Sequence, residues 1–120
     1  MYNFLFLILS CLFIKHWYFD FVNQTQEEVD LKGTYGNWTG MKHSVKHGLA
    51  TAVILIVLAV DPAISIMFSL IEFFLHYHID WIKMHYGTKD MHTKAFWTQF
   101  GFDQLAHSLT YLAIAWTLFV

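Results

Sequence analysis

Four stretches of this chain are dominated by apolar residues, at about positions 2–22, 42–60, 62–83 and 98–120, and polar residues separate them. Each is close to the length of about 20 residues that, at about 1.5 Å per residue, crosses roughly 30 Å of hydrocarbon. The first separator, 23–41, holds Gly33, Gly36 and Gly40 behind an acidic cluster of Glu27, Glu28 and Asp30. Its first part can continue the first helix past the membrane surface, and the glycines then mark a loop. Asp61-Pro62 makes the second separator a tight turn, because Asp suits a helix N-cap and Pro the first helical position. The third, 84–97, is polar around Gly87. The pattern predicts an all-α membrane protein: one domain over residues 1–120, built as an up-down bundle of four transmembrane helices.

Polar residues inside those stretches follow a rule of their own. His16/Asp20, His43/His47, His76/Asp80 and Asp103/His107 are four pairs at the same i,i+4 spacing, one per stretch. On a helix such residues share a face, with Cβ atoms roughly 5–6 Å apart. The pairs fall at the end of the first stretch, the start of the second, the end of the third and the start of the fourth. Alternating helix direction therefore puts all eight side chains on one side of the membrane, at similar depth.

Composition supports the membrane reading, with 57% hydrophobic and 13% charged residues against roughly 25% charged in a soluble domain. The net charge of −2, without a basic stripe, argues against nucleic acid as a partner. The basic side chains are all lysine, and Lys15, Lys32, Lys42, Lys46, Lys83, Lys89 and Lys94 all lie on the side of the pairs. The positive-inside rule makes that side cytoplasmic and puts both termini opposite. Trp17, Trp38, Trp81 and Trp97 cluster at the same boundary as an aromatic belt would, with Trp116 toward the other face. The N-terminal apolar run lacks the positive leader and cleavage site of a signal peptide, so it is expected to stay in the mature protein. Cys11 has no second cysteine to pair with and reads as packing.

Ionisable groups at membrane depth cost several kcal/mol unless paired, and they usually mark function. The bland reading is that these His and Asp residues bond one another across helices. The functional reading is a metal site with His16, Asp20, His43, His47, His76, Asp80, Asp103 and His107 as ligands. Mixed His/Asp ligation suits Zn, Mn or Fe, and the eight groups can serve two ions, or one ion with an outer shell. Glu72 lies one turn from His76 on the same stripe and reads as a general base, an extra ligand or a buried neutral acid. Lys83 closes the third stretch, where it can attract an anionic headgroup or simply snorkel to the interface. Gln24 extends the His16/Asp20 stripe, whereas His78, His85 and His92 fall off the spacing and read as interfacial.

The segments His16 to Gln24, His43 to Leu49, His76 to Lys83 and Asp103 to His107 resemble, in order, the HxxxDFxxQ, second-helix His, HxxxD…K and DQxxH motifs of one family. That family comprises small bacterial and phage membrane proteins known as domain of unknown function 3307, and it is more loosely similar to the inner-membrane metal-dependent hydrolases. The resemblance implies a multi-pass protein of the bacterial inner membrane and, through the looser kinship, metal-dependent hydrolysis. Location at the bilayer then suggests a lipid-like or membrane-associated (phospho)ester, with the bilayer itself as partner and a homo-oligomer as an open arrangement. Three other readings stay open. One is a structural or partner-binding protein, phage-encoded, whose polar cluster locks the bundle. Another is a di-iron oxidase. The third is an ion or proton carrier, which needs ionisable residues continuing to the outer face, where only Asp61 stands.

Overall fold

In the computed structural model, which describes residues 2–120, there are five α-helices and no strand among the described residues. α1 spans Tyr2–Trp17 and runs on into a wider π-helical turn, Tyr18–Val22. The short α2 is Gln26–Leu31, followed by α3 (Trp38–Val57), α4 (Pro62–Tyr86) and α5 (Lys94–Phe119).

Capping residues set these boundaries more sharply than hydrophobicity does. Asp61 accepts from the backbone N–H of Ala63 and Ile64, and Pro62 opens α4, as the sequence predicts. Asn37 caps Thr39 and Gly40, so α3 begins ahead of its apolar stretch, and Thr93 starts α5 early in the same way. The first part of the 23–41 segment does not prolong α1. The π turn closes with Asn23 N–H on Tyr18 O, and Thr25 caps α2 as a separate helix. α2 packs on the start of α3, where a Cβ at Gly40 would stand 2.6 Å from Lys32 Cα.

α3 and α4 form the most intimate pair. A Cβ at Gly48 would lie 2.9 Å from Ser69 O, so only glycine lets the two backbones approach this closely. α1 packs on α3 and α5, and α5 also on α4, which closes a four-helix ring. Its interior is layered. Ile8, Leu12, Leu55, Phe68 and Ile114 fill one end with Tyr111. Polar side chains fill the other. The outer surface is apolar on every long helix, as at Ile14, Val53, Leu70 and Phe102. Two helical segments, Tyr2–Val22 and Pro62–Tyr86, are long and apolar enough to cross a membrane. α3 and α5 fall outside that class, diluted by Lys42, His43, Lys46 and His47 in one and Lys94, Asp103 and His107 in the other.

Candidate metal centre

Each long helix delivers its ionisable pair to one place. The end of α1, the start of α3, the end of α4 and the start of α5 meet, and all eight predicted His and Asp residues are buried there. On α3, α4 and α5 the i,i+4 spacing accounts for this directly. On α1 the spacing runs into the π turn, and His16 Nε2 still lies 3.1 Å from Asp20 Oδ2. Such turns recur at functional sites, because the wider backbone re-aims a side chain.

Asp20 is the hub. Its Oδ1 lies 2.7 Å from His47 Nε2, 2.9 Å from His43 Nε2 and 3.6 Å from His76 Nε2. Together Asp20, His43, His47 and His76 offer four ligand atoms within 4.8 Å of one another. Around a tetrahedral ion with bonds of about 2.0–2.1 Å, ligand atoms lie roughly 3.4 Å apart, so this group has the size to hold one ion. Asp80, Asp103 and His107 form a second group within the same limit, and His16 joins His76 and His107 in a third. His107 Nε2 is 3.0 Å from Asp80 Oδ1 and 3.6 Å from Asp103 Oδ1, and the latter oxygen has no hydrogen-bond partner among the described residues. These clusters can hold a metal ion.

Charge balance singles out the same carboxylate. Five carboxylates are buried around the centre, and four have a lysine: Lys15 with Glu72, Lys32 with Asp80 at 3.3 Å, Lys46 with Glu28 at 2.6 Å and Lys83 with Asp103 at 3.3 Å. Asp20 has no lysine partner among the described residues, and nitrogens of four histidines face it instead. A buried carboxylate without compensating positive charge is expensive. At Asp20 that charge has to come from an imidazolium or from a bound cation.

His16 is held on both sides of its ring. Its Nε2 lies 2.9 Å from Gln104 Oε1 and 3.1 Å from Asp20 Oδ2, and its Nδ1 lies 3.0 Å from the Tyr111 hydroxyl. An Nε2–H toward Gln104 and Asp20, with Nδ1 accepting from Tyr111, satisfies all of these partners, and the Tyr111 oxygen also takes the Lys15 ammonium at 3.1 Å. A cation on Nε2 would move the ring proton to Nδ1 and turn the Tyr111 proton to Glu72, 3.0 Å away.

Behind these groups lies a second layer of buried polar side chains. Glu72 takes hydrogen bonds from Lys15 and Thr51, with the Tyr111 hydroxyl in reach, and its Oε1 is 3.9 Å from His47 Nδ1. Glu28 Oε2 stands 3.6 Å behind His43 Nδ1, and neither atom has a hydrogen-bond partner among the described residues. Gln24 donates to Asp20 O and accepts from Lys32. Burial pulls the Lys32 pKa down, but Asp80, Asp20 and Asp103 outweigh it and hold the ammonium above the ordinary lysine value. His85 and His92 are exposed and His78 half-buried, and none of the three joins the cluster.

The spacing argument missed Lys15, Glu28, Lys32, Thr51 and Tyr111. Lys15 and Lys32, read from the sequence only as part of the charge bias toward that side, are buried against Glu72 and Asp80. Thr51 and Tyr111 were within reach, since one further step of four extends His43/His47 to Thr51 and Asp103/His107 to Tyr111. Glu28/Lys32 repeats the spacing at α2.

No curated protein and no solved structure matches the chain, so the looser likeness to the inner-membrane metal-dependent hydrolases gains no support there. The family model described as protein of unknown function (DUF3307) matches residues 8–120, nearly the whole chain, and the chain belongs to that family.

Proposed function

We propose that this chain is a four-span membrane protein whose His/Asp centre binds one or two divalent transition ions, Zn, Mn or Fe, and hydrolyses a membrane-associated phosphoester. The observation that carries the reading is Asp20, the buried carboxylate with four histidine nitrogens around it and no lysine. Asp20, His43, His47 and His76 hold one ion, and Asp80, Asp103 and His107, with His16 beside them, hold the second where two are bound. A bound divalent ion would lower the pKa of its water, to about 7 in the case of zinc, and polarise the scissile group. Glu72 acts as a positioning residue, since its carboxylate, 3.9 Å from His47 Nδ1, is the acceptor that the ring N–H would take with an ion on Nε2. Lys83, beside Asp103, meets the anionic part of the substrate. Glu28, 3.6 Å from His43 Nδ1, stands in the corresponding place behind that ring.

The membrane part of the proposal rests on an inverted distribution of side chains, apolar outside and ionisable within, on α3 and α5 as much as on α1 and α4. The lysines at the centre's end support reading that end as the cytoplasmic face of a bacterial inner membrane, with both termini opposite. An ion or proton carrier fits less well. Ile8, Leu12, Leu55, Phe68 and Ile114 close the far end, and no buried ionisable residue continues the path among the described residues.

Elemental analysis of the detergent-purified protein tests the centre. The expected result is one or two equivalents of Zn, Mn or Fe per chain, lost in Asp20→Asn and in His47→Ala at unchanged helical circular dichroism. Iron in place of zinc or manganese would turn the reading toward an oxidase. A folded parent that takes up none of these ions even after soaking would sink the metal centre and leave a hydrogen-bonded cluster that locks the bundle.

A further inference from the structure

Two cavities beside the metal centre share a wall. One, of 380 Å³, lies under α2 and the α4–α5 loop, and Lys32, Lys83 and Lys89 line it with Gln24, Thr88 and Gln99. The other, of 500 Å³, is a largely apolar groove between α4 and α5, lined by Ile79, Ile82, Tyr86, Phe102 and Ala106, with Asp103 of the centre also on its wall. Lys83 and Gln99 border both. Gln99 is fixed there, because its Oε1 accepts from Thr88 N–H at 2.9 Å and a Cβ at Gly87 would crowd that same oxygen.

Three lysines stand in the first cavity against one carboxylate, Asp30. Lys32 and Lys83 are each 3.3 Å from a carboxylate of the Asp80, Asp103 and His107 group, while Lys89 has no carboxylate partner among the described residues. Lys32 and Lys83 thus balance Asp80 and Asp103, and Lys89 is the ammonium left to the cavity, with the other two beside it as further donors bordering the centre. The groove it joins opens outward, with Ile82, Tyr86 and Phe102 all exposed. A charged pocket continuous with an apolar, outward-facing groove is complementary to one kind of molecule, an anionic head on an alkyl chain.

We propose that this pair of cavities binds an anionic phospholipid, its phosphate among Lys32, Lys83 and Lys89 and one acyl chain along the α4–α5 groove. The inference rests on the membrane reading above and names the substrate class of the same centre. The lipid enters sideways between α4 and α5, and its phosphate arrives next to Asp80, Asp103 and His107.

The test uses the full chain in detergent with lysophosphatidate, a single-chain phosphomonoester, carrying a fluorescent acyl tail and read by polarisation. The parent is expected to bind it at least about tenfold more tightly than lysophosphatidylcholine of the same chain length, since a charge-assisted bond separates the two. Lys89→Gln, in the exposed loop, and Ala106→Trp, in the groove, should each weaken binding about tenfold. Equal affinity for the two lipids, or no effect of Lys89→Gln, overturns the headgroup assignment. Full displacement by inorganic phosphate at the affinity of the lipid, or unchanged binding in a folded Ala106→Trp, overturns the acyl groove. Elemental analysis of the same samples separates the two readings. Lipid binding that survives without any metal would refute the metal centre alone, and metal retained without selective lipid binding would refute this inference alone.

Discussion

Lys15 and Glu72 are both almost fully shielded from solvent, and Tyr111 and Thr51 stand beside the carboxylate. Removing one member of such a pair strands the other charge, at a cost of about 3–5 kcal/mol, whereas removing both costs much less. Lys15→Met should therefore lower stability by about that amount, and Lys15→Met with Glu72→Gln should recover at least half of it. Thermal unfolding in detergent measures both, and additive losses would mean the pair is not coupled. Lys15 also reaches the centre itself, 3.2 Å from His47 Nδ1. An ion on His47 Nε2 puts the ring's one proton on Nδ1, so Lys15 must then turn wholly to Glu72 and Tyr111. At this scale the eight-residue His/Asp cluster was legible in the spacing, because residues four apart on a helix share one face whatever the tertiary fold. The partners of Glu72 were not, since which helices stand opposite one another is a property of the bundle. Lys15 resembles a boundary lysine by position, and only the carboxylate across the ring gives it a reason to be buried.

Among the elements, the turn between α3 and α4 carries a residue in an unfavourable conformation. α3 ends with Val60 N–H on Leu55 O and Ala59 N–H on Ile56 O, a pattern that requires the left-handed region at Ala59, where φ is 64°. A Cβ in that region costs roughly 1–2 kcal/mol, and glycine avoids the cost while losing part of the gain to unfolded-state entropy. Ala59→Gly is thus expected to stabilise the protein by about 0.5–1 kcal/mol, read as a higher midpoint in thermal unfolding. A lower midpoint would mean the turn is held by something other than its own backbone. Asp61-Pro62 made this turn legible, because cap and proline chemistry is local. The π turn at Tyr18–Val22 had no such signal in the sequence, which reads as uninterrupted α-helix. α2 was hidden within a polar, glycine-containing stretch, and its place over α3 depends on the missing side chain of Gly40.

At the scale of the molecule, the two helices that pass a hydropathy test and the two that do not present the same kind of surface. Val53 on α3 is 61% exposed and Leu109 on α5 is 53% exposed, while the ionisable residues of those helices face inward. Mean hydropathy averages over both faces, so a helix that carries ionisable residues on one side scores low even where its other side suits lipid. Solvent contact separates the alternatives. In a Cys11→Ala background the chain has no cysteine, and single cysteines can be placed at exposed positions and treated with a membrane-impermeant maleimide on intact cells. Ala63→Cys, at the α3–α4 turn, should label on intact cells, and His92→Cys, in the α4–α5 loop, only after the cells are opened. Val53→Cys and Leu109→Cys should resist labelling in both states, despite their exposure in the isolated chain, because hydrocarbon covers them. Labelling of Val53→Cys and Leu109→Cys in opened cells would place α3 and α5 in water and reduce the spans to two. The reverse pattern at positions 63 and 92 would keep the four spans and turn the centre toward the outer face, where its lysines would oppose the usual charge bias.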